Sequence, residues 1–249
     1  MIMKKVTVLT LCSVFLFCMS CVDIKMTKGK LLEASKTITE KELTMSSFDK
    51  VDIDVVGHVK VVQSVAGDYR VVLSAPENYM DFFECEVNDQ ELEVEYDSHM
   101  PNFTLEDRDI HITIYTPSLR ELENSGVATV VVDSLKSRLL KVENSGVGGI
   151  KMRGLHTEKL AVDCSGVGGI TLHGVTTWLN LECSGVGSID ASGMKARRVK
   201  GEVSGVGGIE CYASDTLKAT VSGVGSLKYA GNPSVKKLNE SGVGKISEL

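Results

Sequence analysis

The chain carries no excess of positive charge. Its 249 residues hold 27 Lys and Arg against 33 Asp and Glu, a net charge of −6 with a pI near 5.5, so no global field draws it to nucleic acid. It has no hydrophobic run long enough for a membrane helix. The one uniformly apolar stretch, Val6 to Met19, is shorter than the roughly 20 residues needed to span a bilayer. Beyond the N-terminal stretch that ends at Cys21, the cysteines Cys85, Cys164, Cys183 and Cys211 form no CxxC and no Cys/His metal-ligand spacing, which removes the common zinc and redox motifs. No unit of the chain shows an apolar stripe of period 3.6, and helical repeats are disfavoured. Aromatics are scarce at 5%, which counts against a broad sugar-stacking surface. What remains is 43% hydrophobic and 24% charged, outside the compositional range of disorder.

Catalytic signatures are missing as well. Gly-Val-Gly-Gly resembles a phosphate-cradling loop, but it recurs and runs into strands instead of opening a helix, and Gly244-Lys245 is followed by Ile246 rather than Ser or Thr. There is no HExxH, no Gly-x-Ser-x-Gly elbow and no Asp at the nine-residue period of calcium-binding rolls. His156 and His173 fall at different offsets in their units. The acidic positions read as varying from unit to unit, against a repeated carboxylate pair for glycoside hydrolysis. The chain therefore reads as a non-enzyme with no catalytic residues, no metal and no cofactor.

Lys4 and Lys5 precede the apolar run, and Phe17-Cys18-Met19-Ser20-Cys21 closes it. Residues 1–20 read as a lipoprotein signal peptide, cut before Cys21, whose acyl chains would anchor the protein at ~0.8 kcal/mol per buried CH2. Ordinary signal cleavage that leaves Cys21 as a free thiol is the alternative. Residues 21–46, polar and rich in Lys, read as the lipidated N-terminus and a tether.

One phrase governs the second half of the chain. Ser125-Gly126-Val127 comes first, and Ser-Gly-Val returns at Ser145, Ser165, Ser184, Ser204, Ser222 and Ser241, at spacings of 20, 20, 19, 20, 18 and 19 residues. Around each copy the residues alternate in polarity: Leu160, Val162 and Cys164 against Lys159, Ala161 and Asp163, then Leu179, Leu181 and Cys183 against Asn180 and Glu182. Period 2 means strands with one buried face. Each unit reads as strand, corner, strand and a return turn such as Arg153 to His156. Stacking the units predicts an all-β fold, a single-stranded parallel β-helix (solenoid) with about 20-residue coils. A less regular β region precedes it, with the regular repeats at 120–249.

The corner residues are the structural site candidates: Ser145, Gly146 and Gly148; Ser165, Gly166 and Gly168; Ser184, Gly185 and Gly187; Ser204, Gly205 and Gly207; Ser222, Gly223 and Gly225. Glycine suits a corner through positive φ or through close backbone approach. The serines read as a fold requirement, not a binding stripe, because every coil has one. Two aliphatic columns are expected inside. Leu140, Leu160, Leu179, Val199, Leu217 and Leu238 lie before the Ser, and Ile150, Ile170, Ile189, Ile209, Leu227 and Ile246 after it, each worth ~1.5–3 kcal/mol when buried. Cys164 and Cys183 stand where other units carry Asn or Val. They read as small buried hydrophobes, with a bridge between stacked neighbours as the alternative.

From Phe48 onward the first half alternates as well, at Val51, Ile53 and Val55, at Leu92, Val94 and Tyr96, and at Ile110, Ile112 and Ile114. No linker separates it from the repeats, so one β body over residues 47–249 is expected. Residues 77–109 hold 12 Asp and Glu against Arg108 alone, read as the solvated face of amphipathic strands. Lys195, Arg197, Arg198 and Lys200 form a basic cluster read as an exposed turn. The chain's own strands, a partner or a second copy are candidates to cover the solenoid ends.

The opening strand at Phe48, the segment Ile112-Thr113-Ile114-Tyr115-Thr116-Pro117-Ser118-Leu119 and the Ser-Gly-Val-Gly-Gly-Ile coils together resemble the putative auto-transporter adhesin, head GIN domain family of secreted and lipid-anchored bacterial proteins. The resemblance covers about residues 47–248, and the first copy departs from it with Ala128 and Thr129. It implies a β-helix-like body in the cell envelope, periplasmic or exposed at the outer membrane, without catalytic residues. Partners expected on this reading are the membrane through the lipid anchor and a protein or glycan ligand. A scaffold or envelope-stress module is the alternative, and a β-helix polysaccharide-active enzyme a weaker one.

Overall fold

Strict alternation puts every second side chain of a unit on one face, and near-constant unit length lets those faces superimpose. In the computed structural model, which describes residues 30–97, 103–104 and 109–249, strand makes up 73% and helix almost nothing, so the protein is all-β. Seventeen strands share one sheet, wound as a β-solenoid of about 6 turns with coils of roughly 20 residues. Leu135–Asn144, Val147–Cys164, Val167–Cys183, Val186–Val203 and Val206–Val221 follow one another up the axis, each parallel to the next.

Register makes the core. Ile150, Ile170, Ile189, Ile209, Leu227 and Ile246 stack rung on rung and are all buried. Val130, Val59 and Ile112 extend the column downward. Leu140, Leu160, Leu179, Val199 and Leu217 form the second column. Leu238 does not join it: Lys236 stands opposite Leu217, and Leu238 lies opposite Ala219. Leu238 is two residues nearer its Ser than the others are. Its strand, Val235–Glu240, is exposed throughout because no described strand lies beyond it.

The corners are held by backbone. The N–H groups of Ser145 and Gly146 both donate to Asn124 O at 3.1 and 2.9 Å, and Val147 N–H donates to Gly126 O at 2.8 Å. The same three bonds recur at the corners of Ser165, Ser184, Ser204 and Ser222. They draw successive corners so close that a Cβ on Gly146, Gly166, Gly185, Gly205 or Gly223 would fall under 3.0 Å from a carbonyl oxygen of the coil below. Gly148, Gly168, Gly187, Gly207 and Gly225 are confined in the same way. Close approach is therefore the shared reason for the glycines. Positive φ adds to it only in some coils, as at Gly168 with φ +138°. The expected return turn is also different: the strand runs on through it and changes direction at irregularities between Met152 and Leu155 and between Thr171 and His173. A bulge turns a strand without abandoning its ladder.

In the first half, stacking order departs from chain order. Lys50–Asp54 and Val56–Gln63 form the coil beneath the first corner, parallel to Glu121–Asn124 and Val127–Val132. Beneath them lie Glu91–Tyr96 and His111–Thr116. Antiparallel strands then finish this end. Phe83–Asn88 pairs with Glu91–Tyr96, Arg70–Pro76 with His111–Thr116, and Ile38–Thr44 with Arg70–Pro76. Ile38–Thr44 thus belongs to the sheet, and the tether expected over 21–46 is shortened accordingly. Tyr79, on the short helix Glu77–Phe82, and Phe48 are buried here.

Cys164, Cys183 and Cys211 are buried free thiols, and Cys85 is half-buried. Asn124, Asn144, Cys164, Cys183, Val203 and Val221 occupy one inward column. Burial pushes the Cys211 thiol up to about 12, which keeps it protonated and inert.

A second column, outward-facing, is acidic. Asp52, Glu123, Glu143, Asp163, Glu182 and Glu202 stack in register, the last five each two residues before a corner Ser, while Thr220 and Asn239 take that place in the last two coils. The acidic positions, read from the sequence as varying from coil to coil, thus keep one offset through five successive Ser coils and change at Thr220 and Asn239. Ser125 Oγ donates to Asp52 Oδ1 at 2.7 Å and Ser145 Oγ to Glu123 Oε1 at 2.9 Å. These two serines thus tie their corners to carboxylates of the rung below, and Ser165 bonds Asp163 of its own coil. Desolvation holds the carboxyls of Asp52, Glu123 and Asp163 above their ordinary range, against the lowering effect of these bonds, and neighbouring acids add to the rise.

Two outcomes follow. Gly168→Val is expected to destabilise the body by about 3 kcal/mol or more, or to prevent folding, because both space and φ oppose the side chain; an unchanged melting temperature contradicts the corner geometry. The raised carboxyls mean that the folded state binds more protons than the unfolded one. Stability should then rise as pH falls from neutrality to about 5. Calorimetry should show a higher Tm at the lower pH, with part of the rise lost in Asp163→Asn. A Tm that falls over this window contradicts the ladder.

Candidate functional site

The outward positions of the strand before each corner form three columns. Two residues before the Ser lies the acidic ladder. Four before it lie Glu121, Lys141, Ala161, Asn180, Lys200 and Lys218, and six before it Leu139, Lys159, Trp178, Arg198 and Thr216. The last two columns line a groove of about 940 Å³, running up the solenoid across the rungs. Its position follows from hydroxyls behind it. Ser137 Oγ lies 2.8 Å from both Leu119 O and Leu139 O, and in the same column Thr176 Oγ1 lies 3.3 Å from Glu158 O and 3.2 Å from Trp178 O. These two side chains fasten the bends of their own strands to the rung below, beside Leu139 and Trp178, whereas the Thr157 hydroxyl between them makes no hydrogen bond among the described residues.

The groove is cationic on an acidic protein. Arg120, Lys141, Lys159, Arg198, Lys200 and Lys218 line it, against Glu121 and Glu158. Some of this charge is answered locally. Arg120 Nη2 donates to Asp49 Oδ1 at 2.8 Å, and Lys141 bridges Glu121, at 2.8 Å, and Glu143. The two hydrogen bonds raise the Lys141 ammonium above its ordinary range, and it stays charged. Lys200 lies 3.7 Å from Glu202. Lys159 and Lys218 have no carboxylate within 4.0 Å among the described residues. Arg198 lies over Trp178, its Cζ 4.4 Å from the ring centroid, and Trp178 is still 45% exposed.

The residues singled out from sequence separate. The Ser-Gly corners carry the fold and do not line the groove. The basic cluster divides: Arg198 and Lys200 reach the groove, Lys195 covers Tyr212, and Arg197 pairs with Asp215 at 3.4 Å. His156 stands opposite Val175, so it does not stack with His173. Cys21 and the signal peptide lie outside the described residues. Sequence reading missed three surfaces: the groove, the acidic ladder and a row of half-exposed valines at the corners, Val127, Val147, Val167, Val186, Val206 and Val224. All three were open to alignment of the coils by their serines. The valine row has no polar group to orient a ligand. Among the described residues no group of three or more His, Cys, Asp or Glu is placed to hold a metal ion.

Comparison with known proteins follows this geometry. A putative adhesin from Bacteroides fragilis has 31% sequence identity and a TM-score of 0.84, the match covering 88% of this chain and 100% of that one. A putative lipid binding protein from Parabacteroides distasonis (19% identity, TM-score 0.74, 88% and 100% covered) and a putative adhesin from Parabacteroides merdae (21%, 0.67, 89% and 100%) share the fold. No curated protein is similar enough to match the chain. Residues 47–233 match the family described as putative auto-transporter adhesin, head GIN domain, and the chain belongs to that family.

Proposed function

We propose that the protein is a lipid-anchored, non-enzymatic adhesin-like module of the cell envelope, holding its solenoid outward as a rigid binding face. The observation that carries the reading is the groove: a solvent-accessible trough crossing several rungs, with two lysines that have no carboxylate partner among the described residues, on a chain whose net charge is −6. Solenoids offer long regular surfaces to extended partners. Family membership and the adhesin relative support an adhesin-like role at the cell surface or envelope. The lipoprotein-like sequence ending at Cys21 supports the anchor. Among the described residues no helix is long and apolar enough to cross a membrane. On this reading residues 21 to 37 join the acylated cysteine to the first strand of the sheet.

Two measurements test it. Wild-type protein should sediment with membranes and Cys21→Ala should move to the soluble fraction, since several acyl chains anchor where none would remain; unchanged fractionation removes the anchor. Protease added to intact cells should degrade the protein, and cells lacking it should attach less to a surface coated with envelope or host glycans. Full protection together with unchanged attachment contradicts the adhesin reading.

A further inference from the structure

We infer that the groove between Lys159, Trp178, Arg198, Lys200 and Lys218 is a binding site for an extended acidic polysaccharide, whose chain runs along the solenoid axis. The inference deepens the binding-module reading above and rests on it. Four features of the site select this ligand.

The first is charge. Six cationic and two acidic side chains line the groove, and among the described residues Lys159 and Lys218, on rungs to either side of Trp178 and Arg198, have no carboxylate partner. Ammonium groups without such a partner, in the middle of the trough and on its last rung, suit a ligand with several separated anions. The second is flatness. The Arg198 Cζ sits over the Trp178 ring, 4.4 Å from its centroid, bringing two planar groups together. Stacking holds the guanidinium rigid while the exposed indole offers apolar surface to the C–H face of a sugar. The Arg198 Nε lies 3.7 Å from Asp215, and among the described residues its Nη groups make no hydrogen bond. They remain free for the bidentate recognition of a carboxylate that suits arginine.

The third is direction. The strands run across the groove, and their backbone N–H and C=O groups are already paired with the rungs above and below. A peptide therefore cannot enter by adding a strand, the mode that gives extended peptides their affinity for a sheet. The fourth is the pattern along the axis. The exposed apolar residues Leu139 and Trp178 are separated by the rung of Lys159 and followed by the rung of Arg198. No unbroken apolar track exists for an acyl chain. A polymer of sugars alternates polar edges with apolar faces, and one ring spans about one rung spacing of ~4.8 Å. Asn180 and Thr216, between the cations, supply uncharged hydrogen-bonding groups.

The test uses the full-length chain in detergent. Oligogalacturonate is titrated by calorimetry at low and high salt, alongside its fully methyl-esterified counterpart, a sulfated glycan of equal length, anionic phosphatidylglycerol vesicles and a poly-glutamate peptide. Oligogalacturonate is expected to bind, to weaken steeply as salt rises, and to lose most of its affinity on esterification. The sulfated chain distinguishes a site for carboxylates from one for anionic glycans in general, and either result supports the inference. Trp178→Ala should weaken binding about tenfold, as removal of a central aromatic anchor does. The double variant Lys159→Gln/Lys218→Gln should weaken it several-fold and flatten the salt dependence. Lys151→Gln, on another face, should leave it unchanged. All the substituted side chains are exposed, and each variant should melt as wild type does. Absence of glycan binding overturns the inference. So does binding that ignores both groove variants, or tighter binding of vesicles or poly-glutamate through the same residues. None of these results depends on whether intact cells display the protein, which the protease experiment decides separately.

Discussion

Everything in this molecule depends on how closely one corner backbone lies over the next. Three N–H groups per corner bond to carbonyls of the coil below, and the glycines exist because those bonds leave no volume for a Cβ. The constraint is axial and repeats at each rung, so it fixes register as well as position. Register in turn places identical offsets above one another, inside and out. The aliphatic columns follow directly. So does a less favourable consequence, the stacking of carboxylates in six successive rungs. Ser125, Ser145 and Ser165 answer part of that cost, since their hydroxyls bond Asp52, Glu123 and Asp163. The repeat phrase is therefore one device: glycine permits the approach, and serine tempers the charge that the approach brings together.

The same stacking separates scaffold from surface. Side chains that point inward must fit a column, and most of them are Ile, Leu, Val, Ala, Met and Cys, joined by a buried Asn pair in which Asn124 Nδ2 donates to Asn144 Oδ1 at 2.7 Å. Outward positions carry no such demand. There each rung differs, as in the series Leu139, Lys159, Trp178, Arg198 and Thr216. Variation on a rigid lattice is how a solenoid acquires a ligand preference without changing its fold. The two ends are managed differently. Antiparallel strands and Tyr79 finish the N-terminal end, whereas the C-terminal strands Val235–Glu240 and Lys245–Glu248 carry Lys236, Lys237 and Lys245, charges that discourage edge pairing.

Much of the fold was legible because the repeat is regular. Serine spacing predicted the coil length, alternation predicted the buried columns, and five of the six residues expected before the Ser do stack. Leu238 failed because parity alone cannot tell an offset of five from an offset of three, and because the last coil has no neighbour to cover it. The tether boundary failed because Ile38–Thr44 reads as polar, and only its pairing with Arg70–Pro76 makes it a strand. The candidate site was legible in its parts alone. The basic cluster was noticed by itself, and joining Arg198 and Lys200 to Lys159, Trp178 and Lys218 takes alignment of the outward positions of successive coils by their serines.

By itself the sequence determined the strand period, the corner chemistry and the parallel stacking of the second half, because each is a local rule repeated until its sum is unambiguous. Tertiary structure decided what no local rule contains. The coil of residues 50–63 lies above that of residues 91–116, the return is a continuous bulged strand, and the outward columns meet as an acidic ladder and a cationic groove. Those features depend on which rung faces which, and register is a property of the assembled stack.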